Sequence, residues 1–468
     1  MGISGLNISG FGHHTRRRLL RYSKLPVLGI TLANALGVAL SARAPSTSTS
    51  RIDRFAIRDV RIFDGSRVLA HRTVMIRDGQ IESVGLRSTK LPPDYSVIEG
   101  RGRTLLPGLI DAHVHISPVF ASDALRQEVA FGVTTVLDMY TGAEGIEAFR
   151  AARERNADDE ADFRIAGSGA TVPGGHPTEL TSKGQRPLPT ISDPALAQEF
   201  VDDRIREGSQ YLKIIYDDGH SFGTPEIHYN IMSFDLLSAL VAAAHKRGLI
   251  AVVHIESVEQ AEDALRAGAD GLAHTPIGPQ LPSDFGAFVK SHHAFVITTL
   301  TTDHWFCGDS RGKELMADPR LGPYVLERFR AGLTLPLYLK QKASCIAADK
   351  SIRQYERARV PVLLGTDSPV PGTSYGISMH DELRRVVANG LSPVQALRSA
   401  TSEISKTFKL DDRGRIVPGA RADLILVKGD PTHDIDDISN IVSVWIAGHL
   451  INRIPQGQVL SQSIKNER

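Results

Sequence analysis

The sequence predicts an α/β fold in which a barrel of eight β/α repeats is inserted into a small β-sandwich domain built from both chain ends. Three observations predict it. Short apolar runs alternate with helical stretches through the middle of the chain. Both ends instead carry alternating, strand-like segments closed by glycine and proline, too few at either end for a sandwich alone. The histidines, lysine and aspartate best suited to hold a metal fall at or near the C-terminal ends of the apolar runs, where a TIM barrel carries its active site. A chain of 468 residues is also too long for one ordinary core but suits a large α/β barrel with a satellite domain.

Taken in order, residues 1–53 read as an export segment and linker. No acidic residue precedes Asp53, and Arg16, Arg17, Arg18, Arg21 and Lys24 stand before the mildly apolar stretch 26–40. Ala42-Arg43-Ala44 follows as a small-residue cleavage site, which completes the order of a signal peptide; the apolar stretch is too short for a comfortable membrane span. Thr15-Arg-Arg-Arg-Leu-Leu-Arg21 looks like a twin-arginine signal. The expectation is an exported protein, periplasmic or secreted, with no stable membrane span after processing. A cytoplasmic protein with a basic tail is the alternative, and Pro45 directly after the cut is the feature that favours it. Residues 46–50 read as a flexible linker.

Residues 54–104 form the first part of the β-sandwich, with strands over 56–65, 73–79 and 81–85. The barrel is expected over 105–404. Its strand candidates are 109–116, 134–139, 163–167, 211–216, 250–255, 271–274, 295–300 and 361–367, with helices such as 234–247 and 257–267 between them. Residues 405–455 return to complete the sandwich, with strands within 414–427 and 441–448, and 456–468 form a tail.

The 54 basic and 53 acidic residues leave no global field for nucleic acid. Cys307 and Cys345 cannot make a disulfide framework. Buried free thiols are the plainer expectation for them, and one bridge in an exported protein is the alternative. Nothing in the pattern speaks for or against a homo-oligomer.

His113 and His115 are two apart on the first barrel strand, and residues i and i+2 of a strand face the same way. Lys213, His254, His274 and Asp367 lie at or near the C-terminal ends of later strands, so all six are expected to converge at one mouth. Imidazole and carboxylate suit zinc and related divalent ions. His113, His115 and Asp367 would hold one ion, and His254 and His274 a second. A cationic Lys213 facing such a pair would be repelled and heavily desolvated. His176, Tyr216, Tyr229 and His304 sit on loops expected at the same mouth and are the candidate substrate contacts.

From about Phe55 to Asn452 the chain resembles the amidohydrolase superfamily. It looks most like the imidazolonepropionase-like branch, which includes metallo-dipeptidases that cleave Xaa-Pro or Xaa-Arg/Lys bonds. The resemblance is carried by Pro107-Gly-Leu-Ile-Asp-Ala-His-Val-His115, by Gly208-Ser-Gln-Tyr-Leu-Lys213, and by a run of passages from His380-Asp-Glu-Leu to Gly429-Asp-Pro. It implies one or two divalent ions, zinc first among them. In binuclear branches the lysine after strand four is carboxylated to a carbamate that bridges both ions, which is the role implied for Lys213. It also implies that His176 touches the substrate backbone. The sequence Tyr216-Asp-Asp-Gly departs from the small-residue runs usual there. Deaminases of the superfamily usually show His-x-x-Glu at strand five. Here the run is His254-Ile-Glu256-Ser257, so the glutamate is expected to point elsewhere.

The functional expectation is a metal-dependent hydrolase that cleaves an amide-type C–N bond in a dipeptide, an N-acyl amino acid or a related small amide. Asp367 acts as general base and then general acid. Ring opening of a cyclic imidazolone- or hydantoin-like amide is the alternative. A non-catalytic metal-binding protein ranks below both, because no ligand of the set is missing.

Overall fold

The computed structural model describes residues 54–181, 185–222, 228–337 and 342–456. The export segment and linker expected over 1–53, and all but the first residue of the expected tail, lie outside the described residues.

The chain begins with β1 (Arg54–Phe63), β2 (Val68–Arg77), β3 (Gln80–Leu86), β4 (Ser96–Glu99) and β5 (Arg103–Pro107). It ends with β14 (Leu424–Lys428), β15 (Ile441–Ile446) and β16 (His449–Leu450). These eight strands share one mixed sheet in the order β16-β15-β14-β5-β1-β2-β3, with β4 pairing β1. The two chain ends meet where β14 runs antiparallel to β5, Leu424 opposite Pro107 and Lys428 opposite Arg103. The domain boundary expected after residue 104 therefore falls inside a strand of this sheet, which continues to Pro107.

Side-chain alternation explains how the sheet is covered. Along β14, Leu424 and Leu426 join a core with Phe55, Ile57 and Trp445, whereas Ile425 and Val427 join the large core of the central chain. The Phe55 and Trp445 rings stack at 5.6 Å although β14 and β5 lie between their strands. The expected strand over 414–427 forms only from Leu424. Gly414 and Gly419 adopt positive φ, and the chain turns repeatedly up to Asp423.

Between these halves run β6 (Leu109–Val114), β7 (Val133–Asp138), β8 (Asp162–Ile165), β9 (Leu212–Ile215), β10 (Ala251–His254), β11 (Gly271–Ala273), β12 (Phe295–Thr298) and β13 (Val362–Leu364). They form two parallel sheets, β6-β7-β8 and β9-β10-β11-β12-β13. Parallel bridges Ala170–Ile214 and Val114–Ser368 join the two sheets at both edges. All eight strands fall on the apolar runs expected for them, and each stops one to three residues sooner. Helices connect them, and their starts are written locally. Ser233 caps Phe234–Lys246, and Ser257 with Gln260 forms a capping box on Val258–Arg266.

Cys307 and Cys345 form a disulfide across 38 residues, which corrects the expectation of free thiols. The bridge ties the end of helix Leu300–Phe306 to the start of helix Ile346–Ala358, so the fold brings together two cysteines that their spacing left unconnected. Among the described residues, no helix is long and apolar enough to cross a membrane.

Candidate metal centre

β6 ends on Val114, between the two histidines. The Nε2 atoms of His113 and His115 lie 3.2 Å apart. Asp367 closes the group, its Oδ1 3.3 Å from His113 Nε2 and 3.0 Å from His115 Nε2. The backbone sets this approach. Asp367 N–H donates to the His113 carbonyl at 2.7 Å, and His115 N–H donates to Ser368 at 2.7 Å. Asp111 locks the two segments by accepting from His113 N–H, Thr366 N–H and the Thr366 hydroxyl. Gly365 allows the contact, because a Cβ there would lie 2.5 Å from the His113 Cβ.

His274 and Asp367 hold φ of +76° and +57°. This left-handed conformation is costly for side-chain-bearing residues and collects at functional sites. The ring of His274 lies 4.6 Å from that of His113 and 4.5 Å from that of His254. Lys213, on β9, is fully buried with Nζ 3.4 Å from His113 Nε2. The structure thus gathers His113, His115, Lys213, His254, His274 and Asp367 into one cluster.

It adds a residue that sequence reasoning sent elsewhere. Glu256 is buried, and one of its oxygens lies within 4.8 Å of ligand nitrogens of both His254 and His274. The available signal was spacing: Glu256 stands two residues from His254, the interval that also pairs His113 with His115. Asp217, in the departing Tyr216-Asp-Asp-Gly run, is buried with Oδ2 3.8 Å from His254 Nε2.

Burial governs the charges. It pushes His113 and His274 well below the usual imidazole range and His254 down to about 4, with the Lys213 charge acting in the same direction. It brings Lys213 down to about 7 against the pull of Asp367, Glu256 and Asp138. Burial also lifts Glu256, with Asp217 and Asp303 adding to the rise. At His115 burial is outweighed by Asp367, which keeps the ring above its ordinary value. Neutral imidazoles beside carboxylates are a donor set suited to divalent ions. Two tautomers are also constrained. His115 Nδ1 faces the Tyr140 carbonyl at 3.1 Å, so it keeps its proton and Nε2 is the nitrogen that can turn a lone pair to an ion. His274 Nδ1 lies 2.7 Å from Thr299 Oγ1, which is 3.2 Å from Asp303. The residues present fit one or two divalent ions.

The cluster floors a cavity of about 530 Å³ lined by His115, Lys213, His254, His274 and Asp367, with His176 on its wall. His176 Nδ1 donates to Glu179 at 2.6 Å, and its ring lies 5.5 Å from His254 and 5.1 Å from Tyr229. Two candidate contacts are corrected. The Tyr216 ring packs in the core and its hydroxyl donates to Asp263. His304 lies within helix Leu300–Phe306, with its nitrogens 2.9 Å from Asp309 and from Asp349. Neither lines the cavity, because each turns toward a carboxylate on another element; Tyr229 does not line it either and stands behind His176.

Comparison with known proteins agrees with this geometry. Residues 104–451 match the amidohydrolase family model. The imidazolonepropionase of Streptomyces griseus is 25% identical over 83% of this chain and 94% of its own. Adenine deaminase 2 of Desulfotalea psychrophila is 24% identical over 90% of this chain, which spans only 60% of that protein's length. A solved Xaa-Pro dipeptidase with methionine bound in its active site has the same fold, with a TM-score of 0.69 at 22% identity, covering 85% of this chain and all of that one. The chain belongs to the amidohydrolase family and is an enzyme that hydrolyses C–N bonds.

Proposed function

We propose that this amidohydrolase cleaves an amide-type C–N bond in a small molecule: a dipeptide, an N-acyl amino acid or a related amide. The carrying observation is the convergence of His113, His115, Lys213, His254, His274 and Asp367 in one cluster, all of it but the fully buried His113 lining one cavity. In this reading the eight parallel strands close as a (β/α)8 barrel, and the sheet of the two chain ends folds over as a small β-sandwich. The bridges at Ala170 and Ser368 and the Phe55–Trp445 stack support that architecture.

His113, His115 and Asp367 hold one divalent ion, zinc by ligand type, and His254 and His274 contribute to a second. When bound, such ions polarise a carbonyl and make hydroxide available at neutral pH. The chain's own groups do the rest. An Asp367 carboxylate oxygen accepts the proton of the attacking water and returns it to the departing nitrogen. His176, fixed through Nδ1 by Glu179, presents its other nitrogen to the substrate. Lys213, brought down to about 7, has a large neutral fraction, and a neutral amine captures carbon dioxide as an anionic carbamate. With Lys213 Nζ 3.4 Å from His113 Nε2, a carbamate there would set an anion beside the histidines proposed to hold the two ions.

Ring opening of a cyclic amide is the second reading, favoured by the imidazolonepropionase relative that this chain matches over most of both lengths. The His254-Ile-Glu256-Ser257 run lacks the His-x-x-Glu of deaminases and weighs against the reaction named in the adenine deaminase relative. Export of the processed chain remains part of the proposal. The Cys307–Cys345 bridge supports it, because disulfides persist in oxidising compartments. Metal-loaded protein assayed against dipeptides, N-acyl amino acids, aryl amides and cyclic imides is expected to turn over a linear amide. Turnover of the imides alone would favour ring opening, and no turnover of any class would overturn the hydrolase reading.

A further inference from the structure

Glu256 reaches the site by a route that the proposed ligand set does not use. β10 ends at His254, and the backbone beyond it is fixed from two sides. Glu256 N–H donates to Gln260 Oε1 at 2.7 Å, the side chain that also closes the capping box of helix Val258–Arg266. The Glu256 carbonyl accepts from Ile277 N–H at 2.9 Å. With its backbone held there, one oxygen of the carboxylate lies within 4.8 Å of ligand nitrogens of both His254 and His274.

Two buried atoms at this spot have no hydrogen-bond partner: His254 Nε2 and Glu256 Oε2. The residues are 8% and 5% exposed. Glu256 Oε1 and His254 Nε2 are 3.8 Å apart, too far for a hydrogen bond but a natural separation for two atoms that share an ion. Unpartnered buried polar atoms are costly, and a cation held by the Glu256 carboxylate and His254 Nε2 offsets that cost.

We infer that Glu256 is a direct ligand of the second ion, which it holds with His254 and His274 as a two-histidine, one-glutamate set. That set is sufficient in kind for a divalent ion with an open position. Charge favours it as well. Asp367 supplies an anion to the first ion, and Glu256 supplies one to the second that is close to both His254 and His274; Asp217, also 3.8 Å from His254 Nε2, is the other buried carboxylate at this spot. With Glu256 the second site no longer depends wholly on a modified Lys213. The inference rests on the proposed metal centre but concerns metal binding, so it can be tested apart from any substrate.

The test compares full-length wild type with Glu256→Gln, which keeps the shape and removes the charge, and with Glu256→Asp. Apo proteins are titrated with zinc against a chromophoric chelator, and bound metal is counted after gel filtration. Cobalt-loaded samples are followed by their d–d absorption, and folding is checked by thermal unfolding. Two ions are expected in wild type and one in Glu256→Gln, with second-ion affinity lowered about 100-fold or more, the upper end of what even supporting residues produce. Glu256→Asp should recover part of that affinity, and the cobalt spectrum should change in Glu256→Gln. Two ions bound equally tightly in Glu256→Gln would overturn the inference, even if turnover fell, because the residue would then serve as an acid and not a ligand. A single ion in wild type would overturn it too. In either case the amide-hydrolysis screen still judges the hydrolase reading.

Discussion

Asp367→Asn separates two roles that one carboxylate combines. The amide can still offer an oxygen to an ion beside His113 and His115, but it cannot take a proton from water. Turnover is therefore expected to fall by about 10²–10⁴-fold in kcat with the bound metal largely kept. Steady-state kinetics beside metal analysis checks this, and near-normal kcat would place the base elsewhere. Thr299→Val isolates a different effect. It removes the partner of His274 Nδ1 and leaves the ligand nitrogen itself untouched. Metal affinity should weaken about 10–100-fold while Thr299→Ser stays near wild type, read by chelator competition. Unchanged affinity in Thr299→Val would mean that the hydroxyl does not orient the ring. At this scale the sequence made His113, His115, Lys213, His254, His274 and Asp367 legible, because each lies within or just after an apolar run. Glu256 was passed over because its two-residue spacing from His254 continues past the end of β10, where contacts with Gln260 and Ile277 fix the backbone. Tyr216 and His304 were misplaced because loop position does not say which carboxylate a side chain will turn toward.

Strands proved easier to read than their ends. An apolar run fixes where a buried parallel strand lies, but it often continues into the loop, as residues 361–367 do beyond Leu364. The run 414–423 failed for the opposite reason: its apolar residues fill turns, with Ile416 buried beneath the terminal sheet. Two links between elements carry measurable consequences. Asp162 on β8 meets Arg413 and Arg421 of the returning chain and Arg164 beside it. Burial alone would raise its carboxyl, but those guanidiniums overcome it and hold it at about 2, below the ordinary 3.8. A depressed carboxyl contributes stability that is complete above about pH 4 and is lost as pH falls through 2. The shift corresponds to about 2 kcal/mol, of which about half is gone at pH 3. Urea unfolding of wild type and Asp162→Asn should therefore show a gap that narrows by about 1 kcal/mol between pH 6 and pH 3. A constant gap would mean the arginines do not act through this charge. The Cys307–Cys345 link closes a 38-residue loop. Replacing both cysteines by serine should cost about 2–4 kcal/mol in the same assay, and an unchanged midpoint would show the loop is held by its packing alone.

On the scale of the whole molecule, the shared terminal sheet is a consequence of arithmetic visible in the sequence: neither end has strands enough to bury its own apolar faces. What the pattern could not show is how tightly that sheet is joined to the parallel strands. The alternation along β14 and β15 supplies the answer. Ile425, Val427, Val444 and Ile446 share a core with Leu125, Val129 and Val133, while Leu424, Leu426 and Trp445 close the other face. The described residues accordingly fall within one compact unit. A sheet whose inner face is also the wall of its neighbour cannot melt without exposing that neighbour's core, so one cooperative transition is expected. The chain provides its own reporters, for it has two tryptophans. Trp305 lies buried in helix Leu300–Phe306, which follows parallel strand β12, and Trp445 lies in the terminal sheet. Trp445→Phe leaves a probe of the first region, and Trp305→Phe leaves one of the second. In each variant, urea unfolding followed by tryptophan fluorescence and by far-ultraviolet circular dichroism should give coincident midpoints. A fluorescence midpoint for Trp445 clearly below the dichroism midpoint of the same variant would show the sheet detaching first. The common core would then be a contact between two separately stable parts.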